Sequence, residues 1–79
     1  MGHARPRPKY LATKLLRIRK ALGLSQSQLA ERLGVQDYTI ISKYELDKNE
    51  PPLNVLLGYS RATQIPLENI VDDELELKL

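Results

Sequence analysis

Gly23-Leu24-Ser25-Gln26-Ser27-Gln28-Leu29-Ala30-Glu31-Arg32-Leu33-Gly34-Val35 is the stretch that decides how this chain folds. Ser25 can cap a helix through its hydroxyl, and Gln28, three residues on, can reach back to the cap N–H. Leu24 before the cap and Leu29 after it are spaced as a hydrophobic staple. Leu29, Ala30 and Leu33 form one apolar stripe, with Ala30 small enough to admit another helix closely. Gly34 supplies the left-handed residue that ends the helix cheaply. Together these signals predict a short capped helix followed by a tight corner.

Size and composition bound the rest. A chain of 79 residues is one domain, and such a domain buries only about 60% of its unfolded surface, so its core must be small and well packed. There is no Cys, Trp or Phe, and the single histidine is His3. Disulfides, thiolate metal sites and cysteine nucleophiles are thereby excluded, and no cofactor or metal is expected. No apolar run reaches the roughly 18 residues of a membrane span, and no signal-peptide pattern is present, so a cytoplasmic protein is expected. Charge is lopsided. Residues 1–49 carry ten Lys or Arg against four acids, a net +6, whereas residues 50–79 carry two against six, a net −4. Such a dipolar domain can present its basic end to a polyanion, although solvated faces and an acidic solubilising tail give the same totals.

Outward from the central stretch, Leu11, Leu15, Ile18 and Leu22 predict a helix over about 9–22 that Gly23 ends, with Lys14, Arg17 and Lys20 on its opposite face. A third helix over 38–46 follows if Asp37 caps it, with Ile41, Tyr44 and Ile40 inward. Pro51-Pro52 breaks the chain and favours a helix start just after it. Leu53, Leu56, Leu57 and Ser60 then line one face of a helix over about 53–63. Ile65-Pro66-Leu67 opens a fifth helix to about residue 71, with Leu67, Ile70 and Val71 inward. Residues 1–8 read as a flexible basic arm, 9–72 as the domain, and 73–79 as an acidic tail. In that tail Leu75, Leu77 and Leu79 alternate with charges, which suits a strand, a fraying helix or a docking tail alike.

Two short helices joined by a tight corner can push the second into the DNA major groove, about 12 Å wide, while the first lies across the backbone. Tyr38, Thr39, Ser42 and Lys43 would then face bases, and Gln26 would sit at the helix terminus nearest a phosphate. Lys48 and Asn49, just beyond the third helix, are further phosphate candidates. Lys9, Lys14 and Arg17 qualify only if they lie near the groove-facing edge. Arg5 and Arg7 of the arm suit an adjacent minor groove or, equally, a solubilising tail.

The motifs Leu15-Leu16-Arg17-Ile18-Arg19-Lys20, Gly23-Leu24-Ser25-Gln26, Leu29-Ala30, Leu33-Gly34-Val35, Ile41-Ser42-Lys43-Tyr44-Glu45 and Pro51-Pro52-Leu53 resemble, in this order, the Xre family of phage Cro and repressor proteins and bacterial regulators. The resemblance implies an all-α, five-helix, lambda-repressor-like domain with its helix-turn-helix at helices 2 and 3. It implies a transcriptional regulator, here expected to be a repressor and no enzyme, that binds double-stranded DNA, usually as a homodimer. It also implies an ion pair between Arg19 and Glu45 that ties the recognition helix to the scaffold. The alternative is an antitoxin or interaction module whose acidic, Leu-bearing tail binds a protein partner.

This chain departs from the family pattern twice. One extra residue stands between Gly34 and Ile41, which either enlarges the turn with Asp37 as cap or brings Ile40 to the core position. The first keeps the five-residue Ile41–Glu45 motif in register and is preferred. Asp47 stands where glycine is usual, and aspartate tolerates the left-handed backbone better than most residues.

Overall fold

The computed structural model describes residues 8–79, so Arg5, Arg7 and nearly all of the expected arm lie outside the described residues. Five helices follow in order: α1 (Leu11–Leu22), α2 (Gln26–Leu33), α3 (Tyr38–Glu45), α4 (Leu53–Thr63) and α5 (Leu67–Val71). No strand occurs among the described residues. None of the helices described is long and apolar enough to cross a membrane. The fold is therefore the all-α, five-helix arrangement that the sequence predicts, with helix limits within two residues of those expected.

Local chemistry places the helix ends. Ser25 accepts from the Gln28 backbone N–H at 3.1 Å, and the Gln28 side chain accepts from the Ser25 N–H at 2.8 Å, a complete capping box. Gly23 and Gly34 both adopt the left-handed conformation. The residue after each, Leu24 or Val35, donates its N–H to a carbonyl five residues back, which satisfies the last turns of α1 and α2. Asp47, with φ at 61°, takes the left-handed role after α3 in place of glycine.

Leu11, Leu15, Ile18, Leu29, Ile41, Tyr59, Ile70 and Leu77 are fully enclosed in one core. Two sequence readings are corrected here. On α4 the buried face is Val55, Leu56 and Tyr59, while Leu53 is 63% exposed and Leu57 and Ser60 are only half-buried. The helix is turned by the close approach of α2: a Cβ on Gly58 would stand 3.0 Å from the Leu33 side chain, so α4 presents its one hydrogen-only position there. The stripe Val55–Leu56–Tyr59 then faces inward.

The second correction concerns Lys14, which is buried rather than on the outer face of α1. Its ammonium donates to the carbonyls of Asn69, Asp72 and Leu75 at 2.9, 2.9 and 2.8 Å. The first two belong to the C-terminal end of α5, whose last carbonyls need donors from elsewhere. Residues 72–79 thus form neither strand nor helix but an irregular segment folded back on its own domain. Asp73 accepts from the backbone N–H groups of Lys9 and Tyr10 at 2.7 and 3.0 Å, tying the segment to the start of α1. Asn69 donates to the Glu76 carbonyl at 2.8 Å, and Leu77 enters the core.

Lys14→Met should lower the unfolding free energy by about 2–4 kcal/mol, because three partly buried carbonyls lose a charged donor at once. Tyr59→Phe is the contrasting variant. Its hydroxyl is buried without a hydrogen-bond partner among the described residues, so removing it should leave stability unchanged or raise it by up to about 1 kcal/mol. Urea denaturation followed by circular dichroism reads both.

Candidate nucleic-acid interface

α2 and α3 meet across a turn of four residues, Gly34 to Asp37. Asp37 is extended, and its carboxylate accepts from the Thr39 backbone N–H at 2.8 Å, so the added turn residue is absorbed by a side-chain cap. Ile41 is then fully buried and Tyr44 nearly so, while Ile40 is half-buried at the edge of the core. This is the register that keeps the Ile41–Glu45 motif intact.

With Ile41 and Tyr44 inward, the opposite face of α3 stands out from the body. Tyr38 is 52% exposed, Thr39 and Lys43 are exposed, and Ser42 is half-buried. Thr39, Lys43 and Leu46 follow at steps of four and three, one helical face. Leu46, 61% exposed at the helix end, belongs to this stripe. Sequence reasoning missed it because a leucine beside Tyr44 and Glu45 gives no sign of pointing outward. Lys48 and Asn49 are exposed in the following turn, their N–H groups bound to the Lys43 carbonyl at 2.9 and 3.3 Å.

Behind this face lies one buried carboxylate. Glu45, its side chain 4% exposed, takes Arg19 Nε on Oε2 at 2.7 Å and Arg19 Nη2 on Oε1 at 3.1 Å. This two-pronged geometry suits a guanidinium. The remaining arm of Arg19, Nη1, donates to the Leu24 carbonyl at 3.0 Å. The Glu45 hydrogen bonds hold the Arg19 guanidinium above its ordinary pKa, against the opposing effect of burial. Gln26 also donates to Glu45 Oε1, at 3.1 Å. The side chain expected to reach a phosphate is thus turned toward the end of α3, with one amide hydrogen committed there. A polar residue at a helix start gives no sequence sign of that bond. Lys14, buried against α5, is not available to a phosphate. Burial holds the Tyr44 and Tyr59 hydroxyls above their ordinary pKa, and at Tyr59 the neighbouring Glu45 and Tyr44 add to the effect. No cluster of His, Cys, Asp and Glu suited to a metal occurs among the described residues.

Two short helices, a capped corner and an exposed second helix braced from behind define a helix-turn-helix domain. The helix-turn-helix family profile matches residues 15–70, and the chain belongs to that family. Among solved structures it is similar to the P22 c2 repressor in complex with synthetic operator 9T in the presence of Tl+. That match has 27% identity and a TM-score of 0.72, and covers 80% of this chain and 94% of that one. It is also similar to a chain of the SinR protein/SinI protein complex, with 25% identity and a TM-score of 0.72. There the match covers 81% of this chain and 62% of the other. A search of curated proteins gives no match.

Glu45→Ala should destabilise the fold by about 3–5 kcal/mol, since it strands the Arg19 guanidinium without its carboxylate. The double variant Arg19→Met with Glu45→Leu should recover much of that loss in thermal denaturation, because the cost lies in the unpaired charge.

Proposed function

We propose that this protein is a sequence-specific double-stranded DNA-binding transcriptional regulator, acting as a repressor, that sets α3 in the major groove. The single observation that carries the reading is the exposed stripe Thr39, Lys43 and Leu46, with Tyr38 beside it, on a helix whose other face is locked into the core. A solved repressor of similar fold is described in complex with an operator, which supports the same docking here. In this arrangement Tyr38, Thr39, Ser42 and Lys43 meet base edges. Lys48 and Asn49 meet phosphates. Gln26 reaches a phosphate only through the amide hydrogen that Glu45 leaves over.

A homodimer completes the reading, because a two-fold pair doubles the contacts of one small domain. Its surface lies at α5, where a groove of about 550 Å³ runs between Pro51, Pro52, Leu53 and Leu56 on one side and Leu67 and Val71 on the other. Leu77 of the tail is already packed inside its own domain, which favours this groove over the acidic segment as the contact surface.

Lys43→Ala should weaken binding to an operator, selected from random duplexes with the wild-type protein, by about tenfold or more. Arg61→Ala, on α4, should change it by less than about fivefold, a surface charge away from the major groove contributing roughly 0–1 kcal/mol. Fluorescence anisotropy across a salt series checks both, and wild-type affinity should fall steeply as salt rises. Equal losses from the two variants, or salt-independent binding, would refute this docking. Leu53→Glu, at a position 63% exposed in the monomer, should move the protein toward monomer in sedimentation velocity without unfolding it.

A further inference from the structure

The hydrogen-bonding character of the front of α3 is fixed before any base arrives. Asp37 accepts from the Thr39 backbone N–H at 2.8 Å and from the Thr39 hydroxyl. Those bonds, first the hydroxyl and then the amide, hold the Asp37 carboxyl below its ordinary range, with Ile40 N–H and Lys43 adding to the effect. At neutral pH Asp37 is therefore an anion that only accepts. The Thr39 proton is committed to it, so the hydroxyl offers outward only lone pairs, beside its methyl group. One turn along the same face, the Lys43 ammonium offers only donors. Both residues are exposed. The outward face of α3 thus runs from an acceptor end to a donor end.

We infer that Thr39, oriented by Asp37, is a specificity-determining residue that selects a base presenting an exocyclic amine in the major groove, adenine N6 or cytosine N4, while Lys43 selects the O6/N7 acceptors of guanine about one turn further along the helix. The inference rests on the DNA-binding reading above and adds the polarity with which α3 meets its half-site. A guanine opposite Thr39 would set two acceptors against the lone pairs of the hydroxyl, with the Asp37 carboxylate behind it. That contact is repulsive and excludes the base by mismatch as well as by lost bonding.

The test uses the full chain and the operator selected above. Single-base analogues first locate the position at which Thr39→Val and wild type differ. There, deleting the major-groove amine, with 2-aminopurine for adenine or 2-pyrimidinone for cytosine, should weaken wild-type binding about tenfold. The same analogue should not further weaken Thr39→Val, which keeps the shape and a methyl group but has no hydroxyl. Thr39→Ser should behave as wild type toward the amine. Replacing guanine by 7-deazaguanine should weaken binding only at the position sensitive to Lys43→Ala. The inference is overturned if amine deletion leaves wild-type affinity unchanged, or if loss of a purine N7 at the Thr39 position weakens binding. It is equally overturned if Thr39→Val matches wild type at every position. Failure to retain any duplex at low salt would instead sink the DNA-binding reading itself, and this inference with it.

Discussion

The carboxylate of Glu45 is the point on which the rest of this structure depends. An isolated eight-residue helix such as α3 is far too short to persist in water. It exists because both ends are fixed. Asp37 caps the first turn, and Glu45 at the last turn binds Arg19 of α1 and Gln26 at the start of α2. Ile41 and Tyr44 supply the apolar contact between those ends. A buried ion pair is not by itself a strong source of stability, because desolvation offsets most of the attraction. Its value here is geometric. Arg19 reaches Glu45 with two nitrogens and the Leu24 carbonyl with a third, so α1, the loop before α2 and the end of α3 share one rigid centre.

A second polar anchor completes a core that is otherwise small. Apolar burial in a domain of this size is barely sufficient, and the residues after α5 add to it through Leu77. That leucine could not stay enclosed on an unattached segment. Lys14 gathers three carbonyls around one ammonium, and Asp73 closes the other side onto the backbone of Lys9 and Tyr10. The acidic segment therefore works as the last layer of the domain, its Asp72, Leu75 and Glu76 carbonyls bound by the Lys14 and Asn69 side chains. Side-chain donors at these carbonyls explain why no strand or helix is needed there.

The comparison of sequence with structure divides along the same lines. Elements announced by local chemistry were legible: the Ser25–Gln28 capping box, the two glycine stops, the Asp37 cap and the α1 stripe all depend on residues within a few positions of one another. The register of α3 followed from keeping Ile41 and Tyr44 on one face. The facing of α4 was not legible, because Leu53 and Leu57 are as apolar as Val55 and the choice is made by Gly58 meeting Leu33, more than twenty residues away. Lys14 lies at the third step after Leu11 and the fourth before Ile18, within the apolar stripe itself. A lysine there is normally read as surface, and only the carbonyls at the end of α5 show why it is inside. Of the site, the exposed residues of α3 could be proposed from spacing, whereas the bond from Gln26 to Glu45 required the fold.

The extra residue in the turn joins these threads. A longer turn between two helices would ordinarily loosen their relative placement, since each added flexible residue enlarges the set of states that binding must freeze. Here the added length brings Asp37 to the cap position, where it binds the Thr39 N–H and hydroxyl and so removes the freedom it introduced. At the other end Glu45 prevents α3 from sliding or rolling on α2. A helix pinned at both ends presents its outward side chains in one register, which is the condition for reading base edges by hydrogen bonds of fixed direction rather than by charge alone. The cap thus does two things with one carboxylate: it secures the helix start, and it decides that the nearest hydroxyl can only accept.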